Sequence, residues 1–180
     1  ALMREVGDPM GTASALNNLA LLVRTQGDNA EARRLLEESL DLKRQLGEKW
    51  GIANTLSSLG DVLIDLGAWG EAREVLTESL RLNRELGDRT ALAFVLEFLA
   101  GLAATAQRPA AALRLGGAAD ALRESLGATL APQERAKLER RLDPARATLG
   151  TDAAEAAWQA GRDLPLDEAV ALAARTRYVT

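Results

Sequence analysis

The side chains able to do chemistry in this chain are carboxylates, arginines, the lysines Lys43, Lys49 and Lys137, and one tyrosine, Tyr178; histidine and cysteine are both absent. Without histidine the chain lacks the commonest general base, the commonest metal ligand and the usual partner of a nucleophilic serine. Without cysteine it has neither a thiolate metal site nor a disulfide framework. What remains is carboxylate chemistry, which needs two acids held in a pocket that perturbs their pKa values. The charged residues are spaced for a plainer role. Arg33/Glu37 and Arg34/Glu38 stand at i, i+4, the spacing of surface pairs on a helix. Glu134, Lys137, Glu139, Arg140 and Arg141 fall together as a charged, solvated helix surface. No GxxxxGK[ST] stretch occurs, and Gly116-Gly117 lacks the strand context of a phosphate loop. The chain therefore reads as non-catalytic, with no cofactor and no metal.

The elements that position these residues follow from composition. Of 180 residues 47% are hydrophobic but only 3% aromatic, and alanine and leucine supply most of the apolar content. Both are strong helix formers, whereas β-branched residues are scarce, so the chain is expected to be all-α. A net charge of −4 and a pI of about 5.1 leave no basic stripe for phosphate backbones, so direct nucleic-acid binding is not expected. No apolar run approaches the ~18 residues of a membrane span, and no signal peptide is visible. A cytoplasmic protein without membrane contact is the expectation.

Leu46-Gly47, Leu86-Gly87 and Leu126-Gly127 recur at a spacing of forty residues, with Val6-Gly7 in phase. Three repeats follow, 7–46, 47–86 and 87–126, after a partial repeat 1–6 whose ALMREV aligns with DLKRQL at 41–46. Matching positions include Ala13/Ala53/Ala93, Leu16/Leu56/Leu96, Leu19/Leu59/Leu99 and Ala32/Ala72/Ala112. Each repeat holds two amphipathic helices, the first predicted from about Gly11 to Gln26 and from Gly51 to Leu66. Leu56, Leu59, Leu63 and Leu66 give its buried stripe. Gly27 and Gly67 stop the first helices, and Asp28 with Glu31 has capping-box spacing for the second. Pro109 suits the first position of the last repeat's second helix, which Gly116-Gly117 should interrupt, either for close packing or through decay of the repeat. Trp50 and Trp69 stand near helix starts, where a ring usually packs on a neighbouring turn.

These helix pairs resemble tetratricopeptide repeats. The second repeat carries the family's pattern as Leu56, Leu59, Gly60, Leu63, Ala72, Leu76 and Ser79; the first as Leu16, Leu19, Ala20, Val23, Ala32, Leu36 and Ser39. The third gives Leu96, Leu99, Ala100, Ala103, Ala112, Gly116 and Ala119, with a degenerate second helix. The resemblance implies a right-handed superhelical repeat solenoid over 1–126 whose first helices line a groove for a protein or peptide. It carries groove positions onto Ser14, Asn17, Leu21, Arg24 and Thr25, onto Asn54, Ser57, Asp61, Ile64 and Asp65, and onto Phe94, Glu97, Gly101, Ala104 and Thr105. There Asn17 and Asn54 can hold a peptide backbone, since an amide both donates and accepts. Asp61, Asp65 and Glu97 favour a basic or amine-bearing partner, Phe94 offers an apolar anchor, and Ser57 adds a hydroxyl. Arg24 is the only cation in the set, which argues against capture of C-terminal carboxylates.

After Gly127 the period fails, and 127–180 reads as a C-terminal helical cap. A helix of about 132–148 should kink or split at Pro144. Thr151 is placed to cap the next helix, and Asp167 and Glu168 open a last one at the favourable end of its dipole. Trp158, Gly161, Arg162, Leu164, Asp167, Glu168, Ala169 and Val170 resemble the end of the repeat region in LuxR-type actinobacterial regulators and related signalling ATPases. Pro165 departs from that pattern, standing where Ser or Thr would cap. This resemblance implies a module of a multidomain transcriptional or signalling regulator, receiving a protein or a small effector; the alternative is a free-standing peptide-binding scaffold. A chain that starts inside a repeat is also expected to self-associate through its N-terminal face.

Overall fold

The structure, a computed structural model, describes residues 8–178; the partial repeat 1–6 lies outside them. The described residues form nine α-helices and no strand, an all-α repeat fold. The first helices of the three repeats are α1 (Pro9–Thr25), α3 (Lys49–Asp65) and α5 (Arg89–Thr105). The second helices are α2 (Asn29–Leu46), α4 (Trp69–Leu86) and α6 (Pro109–Ser125). Every start falls forty residues after its counterpart. The first helices begin two residues earlier than their apolar stripes indicate. The reason is a repeated cap: Asp8, Glu48 and Asp88 accept from the backbone N–H of Gly11, Gly51 and Ala91. Asp28 does the same for α2, accepting from Glu31.

The chain forms two compact units that divide at Leu82/Asn83, within α4. In the first, α2 packs on α1 and α3. Its core is Leu35, Leu36, Leu56, Leu59, Val62, Leu63 and Leu76, all nearly sealed from solvent. Leu66, expected in the buried stripe, is 41% exposed because it caps the end of α3. Trp50 and Trp69 are exposed rather than packed down. A hydroxyl ties each helix pair: Ser39 donates to the Ala13 carbonyl at 2.7 Å and Ser79 to that of Ala53 at 2.9 Å. Small residues at 13, 53, 39 and 79 let the backbones approach closely enough for this bond.

In the second unit α6 packs on α5 and runs unbroken through Gly116-Gly117, contrary to the expected interruption. Helices α7 (Pro132–Leu149), α8 (Thr151–Arg162) and α9 (Leu166–Arg175) all pack against α6. Helix α7 also continues through Pro144 without splitting. Proline removes only its own N–H bond, and Thr148 donates to the Pro144 carbonyl at 2.8 Å one turn on. Thr151 does not cap α8 with its side chain; Gly150 holds the cap position. The two glycines of α6 mark a helix crossing. A Cβ on Gly116 would stand 2.7 Å from Trp158 Cζ3, and one on Gly117 would run into the Trp158 carbonyl oxygen. On the α8 side, Gly161 lies equally close to the backbone of Arg114. Arg162 then pairs with Asp120 and Glu124 across the same crossing. Tyr178 is buried and donates to the Ala173 carbonyl, pinning the chain after α9.

Candidate functional site

The residues expected to line a groove fall in separate clusters on the first helices. In the first unit, Arg24 near the end of α1 pairs with Asp61 and, at 3.2 Å, with Asp65 on α3. Asp61 is buried, Arg24 is half-buried and Asp65 is exposed. One guanidinium thus serves two carboxylates a helical turn apart. Asn54 lies two turns earlier on the same stripe of α3 and is exposed. Ser14, Leu21 and Thr25 are exposed on α1.

Asn17 and Ser57 are turned into the fold. Asn17 is 8% exposed, and its Oδ1 accepts from Thr55 Oγ1 at 3.2 Å. Thr55 in turn accepts from the ammonium of Lys43 at 2.7 Å. Lys43 on α2 is 5% exposed, and burial pushes its pKa down, against a weaker upward pull from Glu48. Ser57 is buried and shares a 2.7 Å hydrogen bond with Ser79.

In the second unit, Glu97 is buried and both its oxygens accept from Arg123 of α6, one at 2.9 Å. The Arg123 guanidinium lies over the Phe94 ring, 4.0 Å from its centroid, so the anchor expected to meet a partner meets an arginine. Burial pushes the Glu97 carboxyl above the ordinary carboxylate range, outweighing the pull of Arg123; Glu134 and Asp120 add to the rise. Gly101 is buried against the Arg141 side chain, while Thr105 is exposed.

Lys43, Thr55 and Arg123 are the polar partners that sequence reasoning passed over. Their signal was present. Lys43 and Arg123 share one repeat register, and Asn17, Ser57 and Glu97 share another. Polar residues recurring on an apolar stripe call for mutual satisfaction, because a buried polar group without a partner is costly.

Among the described residues no group of three or more acids converges as a metal site, and no helix is long and apolar enough to cross a membrane. Residues 12–46 match one tetratricopeptide repeat family model and residues 51–131 match another; together they span well over half of the chain. The chain belongs to the tetratricopeptide repeat family. No curated protein matches it. Tetratricopeptide repeats are protein-interaction modules.

Proposed function

We infer that this chain is a non-catalytic interaction module that takes a basic or amine-bearing protein or peptide segment on its first helices. The observation that supports this reading most directly is the Arg24–Asp61–Asp65 cluster. Two carboxylates of α3, Asp61 and Asp65, gather on one guanidinium, and the acidic character of that pair suits a lysine, an arginine or an amine. Exposed Asn54 on the same stripe supplies a donor and an acceptor for a peptide backbone. The segment 127–180 serves as the C-terminal cap of the repeats. The tail resemblance supports placing this module within a multidomain transcriptional or signalling regulator, where binding is relayed to an output domain.

Titration of the full chain with basic and acidic peptides of equal length tests the binding role. Basic peptides are expected to bind with salt-sensitive affinity and acidic ones not, and Asp65→Asn is expected to weaken the basic ones. Equal affinity for both sets, or an unchanged Asp65→Asn protein, contradicts it. The reading frame around the chain tests the regulator: a nucleotide-binding module upstream and a helix-turn-helix downstream support it.

A further inference from the structure

The second unit contains a cleft of about 560 Å³, lined by residues of α5, α6, α7 and α8 and of the segment 127–130. That is the size of a small-ligand site, and none of the first-helix cluster in the first unit takes part in it. Its charged lining is the carboxylates of Glu97, Asp120, Glu124 and Glu139 and the guanidinium groups of Arg123, Arg135 and Arg162. Most of this charge is spent inside the protein. Glu97 and Arg123 close on each other. Glu139 pairs with Arg146, which is also 3.6 Å from Asp143. Two charges are left over. Asp120 and Glu124 share the single cation Arg162, so the α6 wall carries one surplus carboxylate charge. Arg135 on α7 is exposed, and its guanidinium makes no hydrogen bond or ion pair with any described residue. Trp158 lies in the same lining, and its ring already attracts a cation, with the Arg146 guanidinium 5.5 Å from the centroid.

The geometry points to a site for a ligand carrying both charges. An ammonium or guanidinium group faces Asp120 and Glu124 beside the Trp158 ring, and a carboxylate faces Arg135. A basic amino acid has this chemistry, free or as the C-terminal residue of a peptide. A purely cationic ligand leaves Arg135 unanswered and close to a like charge. A purely anionic one meets the surplus carboxylate of α6.

The test uses the full chain with Trp50→Phe and Trp69→Phe, both exposed positions, so that Trp158 is the one fluorophore of its kind. It is titrated with arginine, with a tripeptide ending in arginine, with the same tripeptide amidated, with agmatine and with citrulline. Arginine or the free-acid tripeptide is expected to shift Trp158 emission saturably; which of the two binds tighter identifies the source of the ligand. Agmatine, the amide and citrulline are each expected to bind at least about tenfold more weakly, the scale of one lost charge-assisted hydrogen bond. Arg135→Gln, which removes no side-chain hydrogen bond or ion pair among the described residues, is expected to erase the advantage of acid over amide. Glu124→Gln is expected to weaken arginine and leave citrulline unchanged. Absence of any saturable shift overturns the proposal, as does agmatine binding as tightly as arginine, or an Arg135→Gln protein that keeps the parent's preference. Trp158 belongs to the second unit and takes no part in the Arg24–Asp61–Asp65 cluster, so failure here leaves the first-helix reading standing, and the converse.

Discussion

The ring edge of Trp158 fills the space above Gly116. In the same register the first two repeats carry Leu36 and Leu76, each fully buried within its own helix pair. The third repeat has given up that leucine, and a tryptophan from α8 takes up the volume from outside. Gly117 follows the same logic, standing in register with the exposed Glu37 and Thr77. In the third repeat that outward position is covered by the backbone of α8, and only a residue without a side chain fits.

Gly116→Ala and Gly117→Ala are therefore expected to differ in cost. At 116 the new methyl meets the far edge of an indole, 2.7 Å away, and Leu142 Cδ1 at 3.1 Å, both able to shift. At 117 it meets backbone that cannot move without displacing α8. Overpacking of this kind costs about 1–3 kcal/mol, and the second variant should sit at or above the upper end. Urea unfolding of both variants, followed through Trp158 emission, measures this. Equal and small losses would show that α8 is not seated on the glycine pair.

The serine bonds between paired helices give a second expectation. Ser79 donates to the Ala53 carbonyl and also meets Ser57, all in the core. Ser79→Ala is expected to lose about 1–2 kcal/mol, the range for a buried hydrogen bond whose acceptor is left without its donor. Ser39→Ala should lose somewhat less, since among the described residues the Ser39 hydroxyl bonds to Ala13 alone. Ala119, in the same register of the third repeat, has no hydroxyl, so that repeat already folds without this bond. Thermal melts of the two single variants and of the double variant check whether the losses add.

Much of the fold was legible because a forty-residue repeat states each boundary three times. Apolar stripes at 16, 56 and 96 and glycines at 47, 87 and 127 agree with one another, and the helices keep that register. Periodicity marks recurring polar positions on a stripe but does not name the partners that turn them inward. Asn17, Ser57 and Glu97 occupy groove register but are buried, because Thr55, Ser79 and Arg123 from adjacent helices satisfy them there. That pairing depends on neighbours distant in sequence. The continuity of α6 and α7 was missed for a different reason. Glycine and proline have poor local helix propensity, but packing against α8 and the loss of a single N–H bond decide the outcome.

Gln107 offers a local test of the repeat's turn chemistry. It stands in register with Gly27 and Gly67 and adopts the same left-handed backbone, with φ at 56° against 89° and 74°. A side chain in that region costs about 1–2 kcal/mol, partly offset by the greater chain entropy of glycine when unfolded. Gln107→Gly is expected to raise stability by about 0.5–1 kcal/mol, and Gly67→Ala to lower it by a similar amount. Calorimetric melting of both variants measures this. A destabilised Gln107→Gly protein would mean that the glutamine side chain holds the turn in some other way.

Lys43 gives the clearest dependence on pH. Its ammonium is buried and donates to Thr55 Oγ1, and among the described residues it forms no ion pair. Burial lowers its pKa below the ordinary 10.5. Between that lowered value and 10.5 the unfolded chain holds more protons than the folded one, so the lysine's contribution to stability rises with pH across this window. Below the window the full cost of burying the charge is present. Lys43→Met, similar in length and uncharged, is expected to stabilise the chain at pH 7 by about 1 kcal/mol. That advantage should shrink as the pH approaches 10.5. Tyr178, whose pKa burial pushes up, titrates in both proteins and cancels in the difference. Urea unfolding of parent and variant at neutral and alkaline pH tests the sign directly. A gap that stays constant with pH, or a variant that is less stable at neutral pH, would show that Lys43 is held by its hydroxyl partner more strongly than burial opposes it.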